Sequence, residues 1–132
     1  MKIVDSTFLI GLLKNDPETV KKARELDEEG GAATTVINVF ETIYGVYRAM
    51  SDVPRRLESF ERLIANFDIL DLDLEAAKKA AQIAGNLGKA GYSIDPFDSL
   101  IAGITLTCGA EALVTRNLSH FKQVSGLTLE EH

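Results

Sequence analysis

The sequence predicts an α/β fold, one domain with a parallel sheet covered by helices on both faces, and three observations predict it. Short β-branched runs alternate along the chain with longer stretches of helical periodicity, and parallel neighbours need crossovers of that kind. At 132 residues the chain has room for one core and for no second domain. Its 45% apolar content supplies that core, while no run approaches the roughly 20 apolar residues of a membrane-spanning helix.

Lys2-Ile3-Val4 is the first strand. It stops at the polar turn Asp5-Ser6-Thr7, and Phe8-Leu9-Ile10 with Leu12-Leu13 form a helix after it. Pro17 to Glu29 places Val20, Ala23 and Leu26 among charges, with Asp16 as a start signal and Gly30-Gly31 as a stop, so it reads as an amphipathic surface helix. Ala32 to Thr34 is a short second strand. Val36 to Met50 is a helix with Val36, Val39 or Phe40, Ile43 and Tyr47 at helical spacing. Pro54 to Phe67 is another, with Leu57, Phe60, Ile64 and Phe67 on one stripe.

Phe67 to Leu70 follows as a strand, and Asp73 caps a helix from Leu74 to about Ala90. The small residues of that helix, Ala76, Ala77, Ala80, Ala81 and Ala84, suit close packing on a neighbour. In Asp95-Pro96-Phe97-Asp98 the N-cap is Asp95, Pro96 takes N1 and Asp98 takes N3 of an apolar helix running to Cys108. Glu111 to Val114 is a buried strand, Thr115-Arg116-Asn117 a turn, Leu118 to Phe121 a short helical piece, and Leu127 to Leu129 a last edge strand.

Charge and composition exclude several function classes. A net charge of −6 and a pI near 4.9 argue against a broad basic surface for nucleic acid. They leave room for a nuclease, because a divalent cation can carry the positive charge and acidic residues hold it. The apolar start contains Asp5, follows a single basic residue and lacks a small-residue cleavage site after Leu13, so a signal peptide is not expected. The lone Cys108 rules out an internal disulfide, reads as a buried thiol, and with the other points favours the cytoplasm. There is no GxGxxG, Walker or GxSxG motif. One cysteine with His120 and His132 cannot make a CxxC/HxxH zinc site, and His132 is expected to be disordered. The second Asp that a phosphoaspartate enzyme needs two residues after the first is absent.

In parallel sheets of this kind ligands bind outside the carboxyl ends of the strands, where the strand order reverses. Asp5 ends one strand and Asn117 follows another by three residues, although either is also an ordinary turn residue. Glu41 stands alone among Val39, Phe40, Thr42, Ile43 and Tyr44, as a functional acid or as a single solvated one. Asp98 sits in the first turn of a helix that is otherwise apolar, where the helix N-terminus favours an anion. Carboxylates gathered in one crevice repel one another, and magnesium or manganese relieves that repulsion through oxygen-only ligation. The chemistry such a site suits is hydrolysis of a phosphodiester by metal-activated water.

Four stretches together resemble the PIN-domain ribonucleases of the VapC type, the toxin half of VapBC toxin–antitoxin pairs. They are Ile3-Val4-Asp5-Ser6-Thr7-Phe8-Leu9-Ile10, Asn38-Val39-Phe40-Glu41, Asp98-Ser99-Leu100-Ile101-Ala102-Gly103, and Leu113-Val114-Thr115-Arg116-Asn117-Leu118-Ser119-His120-Phe121. They fall in the family's order across nearly the whole chain. The resemblance implies a three-layer α/β/α fold on a parallel sheet of four to five short strands. It also implies Mg2+ or Mn2+ as cofactor on Asp5, Glu41 and Asp98, an RNA substrate cut endonucleolytically, a homodimer, and a cognate VapB-like antitoxin over the crevice. One departure stands out: the family often has an acid at position 117 or 120, and here Asn117 and His120 stand there. Asn117 is left to bond a ligated water, Thr7 and Thr115 to bond a phosphate or orient the acids, Arg116 to contact a phosphate, and His120 to pack. Leu12, Leu13, Val20, Leu57, Phe60 and Ile64 pack in the core or offer apolar surface to the antitoxin. The competing readings are a PIN-like module that binds RNA or protein without cutting, and a flap-cutting DNA nuclease. Metal titration separates the first of these, and the second lacks its usual added acids and DNA-gripping segments.

Overall fold

The computed structural model describes residues 1–49 and 51–132, and its architecture follows from which strand ends meet which helix caps. Strand β1 (Lys2–Val4) runs straight into α1 (Ser6–Leu13), because the Asp5 carboxylate accepts from the backbone N–H of Phe8 and caps the helix. The polar turn read there is thus the first turn of a helix. Asp16 caps α2 (Pro17–Glu28) through the Thr19 N–H, and Gly30 and Gly31, both at positive φ, turn the chain into β2 (Ala32–Thr35). Helix α3 (Val36–Ala49) follows at once; Met50, which the sequence places at its end, lies outside the described residues.

After α4 (Val53–Ile64) and β3 (Asp68–Leu70), Asp73 caps α5 (Leu74–Lys89) and Asp95 caps α6 (Pro96–Thr107), as the Asp-Pro-x-Asp pattern predicts. β4 (Ala112–Val114), α7 (Leu118–Phe121) and β5 (Leu129–Glu130) complete the order. The last strand lies later than the sequence suggests: Thr128 and Glu130 carry its carbonyls to Leu113 and Thr115, and Leu127 stays outside the ladder.

Among the described residues the five strands are all parallel, in the order β3-β2-β1-β4-β5. Side chains alternate across the sheet, so Ile3 and Leu113 enter one apolar layer with Ile83, Ile101 and Phe121, and Val4 and Val114 enter the opposite layer with Phe8, Leu9, Leu26 and Phe60. Helices therefore cover both faces. The small residues of α5 do what their size suggests: a Cβ on Gly103 of α6 would lie 2.6 Å from the Ala76 carbonyl oxygen, so the two helices touch backbone to backbone.

Three expectations fail for identifiable reasons. The stripe read on α3 puts Phe40 and Tyr47 inward, yet both are exposed, and Asn38, Thr42 and Val46 are buried instead. The Thr35 hydroxyl donates to Asn38 Oδ1 at 2.7 Å and the Thr42 hydroxyl to the Asn38 carbonyl at 2.8 Å, which answers Thr42 and the Asn38 oxygen, while Asn38 Nδ2 is buried without a partner among the described residues. Val39 and Ile43 of that stripe do pack on the layer around Phe8. Cys108 is exposed, since α6 ends at Thr107 and the chain turns at Gly109. His132 is packed rather than disordered, against Phe8, Thr7 and Thr19. Among the described residues no helix is long and apolar enough to cross a membrane.

Candidate active site

The strand order reverses beside β1, which has β2 on one side and β4 on the other, so the crevice of a parallel sheet opens at the carboxyl ends of β1 and β4. Asp5 closes β1 and Thr115 closes β4. Helix α3 leaves β2 and carries Glu41 to that end, and the first turn of α6 brings Asp98. Residues 36, 57 and 93 positions apart in sequence thus share one mouth.

Asp5 is the fixed member, only 3% exposed. Its Oδ1 accepts from the Thr7 hydroxyl at 2.5 Å and the Phe8 N–H at 3.2 Å, and its Oδ2 accepts from the Thr115 hydroxyl at 2.5 Å. Burial pushes its pKa up, and those donors pull against the push. Glu41 accepts from Ser6 Oγ at 3.2 Å through Oε1. Burial drives it up to about 7, with the charges of Asp98, Asp5 and Asp95 adding to the rise. Asp98 is raised as well, again by burial first; His120 opposes that rise, and Asp95 and Asp5 add to it. These mutual effects place the three acids within one another's field. Asp5, Glu41 and Asp98 therefore lie at the same end of the sheet.

The remaining residues singled out in the sequence fall around them. Thr7 and Thr115 orient Asp5 directly, and the Asn117 N–H donates to Thr115 Oγ1 at 2.9 Å. Arg116 turns sideways: its Nη2 donates to Asp16 and, at 2.9 Å, to Thr19 Oγ1, and its Nε to the His132 backbone oxygen at 3.4 Å. Among the described residues nothing bonds its Nη1. His120 is an exposed side chain with Nδ1 at 3.2 Å from Asp98 Oδ2, so it is no packing residue. Sequence reasoning also missed Ser6 as the partner of Glu41, which a helix start of Asp-Ser-Thr could have suggested, since all three side chains leave one turn.

An apolar rim borders the acids. Phe40 and Tyr44, 51% and 52% exposed, stack at 6.0 Å between ring centres, Phe97 leans on Phe40 at 5.5 Å, and the Arg48 guanidinium lies 5.8 Å over Tyr44. The donor set itself fits a hard divalent cation. It offers three carboxylates with unused oxygen lone pairs, no Lys or Arg bonded to them among the described residues, and raised proton affinities that a positive charge would relieve. Among the described residues no three of these side chains close on a single point.

Known proteins resemble the chain along its whole length. A family model described as PIN domain matches residues 2–127. The tRNA(fMet)-specific endonuclease VapC of Shigella flexneri is 32% identical over 130 residues, which cover 98% of this chain and 96% of that protein. The DNA-bound VapBC of Salmonella typhimurium superimposes with a TM-score of 0.86 at 30% identity, covering 98% of this chain and 96% of that one. VapBC2 of Rickettsia felis, bound to a DNA fragment from its promoter, reaches 0.90 at 20% identity over 99% and 98%, a likeness of fold.

Proposed function

Because this chain belongs to the PIN-domain family, and within it is similar to the VapC endonucleases, we propose that it is a metal-dependent endoribonuclease and the toxin of a toxin–antitoxin pair. The observation that carries the reading is that Asp5, Glu41 and Asp98 share the sheet end at the strand-order reversal, with all three carboxyls shifted toward the protonated form. Mg2+ or Mn2+ held by these three would polarise a phosphoryl oxygen and lower the pKa of water beside it. Thr7 and Thr115 hold Asp5 in one orientation, and Ser6 bonds one oxygen of Glu41, so Asp5 is the preorganised acid of the three. Asn117, at the mouth of β4, bonds the attacking water, and Arg116 meets a substrate phosphate through Nη1.

Two partner surfaces support the same reading. A groove of about 680 Å³ between α1, α3 and α4, lined by Ile10, Leu13, Val46, Arg55 and Arg56 among others, suits an antitoxin segment with apolar and acidic residues. The rim of Phe40, Tyr44 and Phe97 with exposed Tyr47 suits a second copy of the chain. Light scattering should give a mass near twice 14.4 kDa, and Tyr44→Arg should return it to that of one chain. A single-chain mass for the wild type would remove the homodimer.

The deciding assay incubates antitoxin-free protein with total cellular RNA in manganese, in EDTA, and with Asp98→Asn as the control for contaminating nuclease. Discrete fragments that vanish with EDTA and in the variant are expected. Intact RNA under every condition, from folded and metal-loaded protein, would leave the non-cleaving module, which the open spacing of the acids favours.

A further inference from the structure

Thr7 Oγ1 has one proton and two lone pairs, and three polar atoms lie within hydrogen-bond distance of it: Asp5 Oδ1 at 2.5 Å, the Arg116 backbone nitrogen at 3.1 Å and His132 Nε2 at 3.1 Å. Two of these roles are fixed by chemistry, because a carboxylate accepts and a backbone N–H donates. The hydroxyl proton is then committed to Asp5, and the only role left for His132 Nε2 is donor. We propose that His132 is a positioning residue of the acid centre: its Nε2–H occupies the last lone pair of Thr7 and so locks the Thr7 hydroxyl onto Asp5. The inference rests on Asp5 being an acid of the proposed ribonuclease site.

The tautomer sets what the other ring nitrogen asks of its neighbour. Nδ1 faces Thr19 Oγ1 at 3.3 Å, a hydroxyl that accepts from Arg116 Nη2 and shares its one proton between Nδ1 and Asp16 Oδ2 at 2.9 Å, an oxygen that the Thr19 N–H and Arg116 already serve. Burial and the Arg116 charge hold the imidazole down to about 4, which keeps it neutral at working pH with one donor and one acceptor. Phe8 packs edge-on against the ring at 5.1 Å, and Arg116 ties the His132 backbone oxygen on one side and Asp16 and Thr19 on the other. A continuous chain of bonds therefore runs from Asp16 through Arg116, Thr19 and His132 to Thr7 and Asp5. Without it the Thr7 hydroxyl keeps only one fixed donor, and water can compete for its orientation.

Two variants separate the nitrogen from the ring. His132→Phe keeps the packing on Phe8 and removes the donor, whereas His132→Gln supplies an amide N–H near the place of Nε2. The expected result for His132→Phe is about a fivefold loss in kcat on RNA and a similar loss in Mn2+ affinity by calorimetry, the scale of one hydrogen bond, with KM and Tm unchanged. His132→Gln should recover most of both. Equal kcat and Mn2+ affinity for His132→Phe and wild type would overturn the proposal, as would parallel losses in the two variants that track Tm. Nitrogen-15 NMR of the histidine ring gives a readout free of activity: Nε2 must carry the proton and Nδ1 must be bare. The opposite tautomer sinks the positioning role even in an active enzyme, while a wild type that neither cuts RNA nor binds Mn2+ counts against the ribonuclease reading instead.

Discussion

Asp5→Asn should abolish RNA cleavage, by on the order of a thousandfold, while leaving the fold at least as stable as wild type. The loss follows from charge. Cleavage is proposed to depend on a cation whose electrostatic help is worth several kcal/mol, and each ~1.4 kcal/mol is tenfold in rate. Asp5 is the acid among the three that cannot move aside, because Thr7, Thr115 and the Phe8 N–H grip both of its oxygens. The retained stability follows from the same geometry. An Asn in that place still offers Oδ1 to Phe8 and Thr7, so the cap of α1 survives, and its amide can donate to Thr115 Oγ1. The variant also sheds a carboxyl that burial penalises. Asp5→Ala would differ: losing the cap alone costs about 1 kcal/mol, and the buried Thr115 hydroxyl and the half-buried Thr7 hydroxyl lose their acceptor. Single-turnover cleavage of a fluorescent RNA and urea unfolding in EDTA measure the two halves. An Asp5→Asn protein that cuts within tenfold of wild type would place the reaction elsewhere, and one that unfolds early would make Asp5 a structural residue first.

The parts of this site that could be read from the sequence are those whose signals are local. A β-branched run ending in Asp, an Asp-Pro-x-Asp start and a lone Glu in an apolar helix each announce themselves within a few residues, and the parallel sheet then brings their ends together. Strand alternation likewise places Ile3 and Val4 in opposite layers without further information. The readings that failed depend on partners far away. Nothing near His132 in sequence says that Thr7, Thr19 and Arg116 will form its cage, at separations of 125, 113 and 16 residues. Nothing in the apolar pattern of α3 says that Asn38 and Thr42 will bond to the chain through Asn38 Oδ1 and the Thr42 hydroxyl and take the inner face from Phe40 and Tyr47. His120 shows both limits together: its type and position suggest a packing residue, and only the fold reveals Asp98 beside it.

Glu41 makes the metal-free protein less stable as pH rises. Its carboxyl goes from an ordinary value of 4.5 in the unfolded chain to about 7 in the folded one, so between those values the native state holds a proton that the unfolded state has released. Stability therefore falls with rising pH across that window, and the full cost is present above it. Asp5 and Asp98 shift in the same direction and add to the fall. Asp16 and Glu29 shift the other way, each held down chiefly by its hydrogen-bond partners, and their contributions are lost only as pH falls into the acid range. The comparison that isolates Glu41 is thus with Glu41→Gln, which keeps an acceptor for Ser6 and cannot ionise. In EDTA the wild type should lose Tm relative to the variant as pH climbs from 4.5 to about 7, and the gap should then level off. Manganese should close or reverse the gap for wild type alone, most strongly above pH 7, because the ion takes the place of the proton. Below that pH its affinity should rise by up to about tenfold per pH unit for each proton displaced. Parallel Tm curves for wild type and Glu41→Gln in EDTA would show that Glu41 is solvated and does not feel the other acids. A gap in EDTA that manganese leaves untouched would show a repelling cluster that binds no ion, and would hand the crevice to the non-cleaving reading.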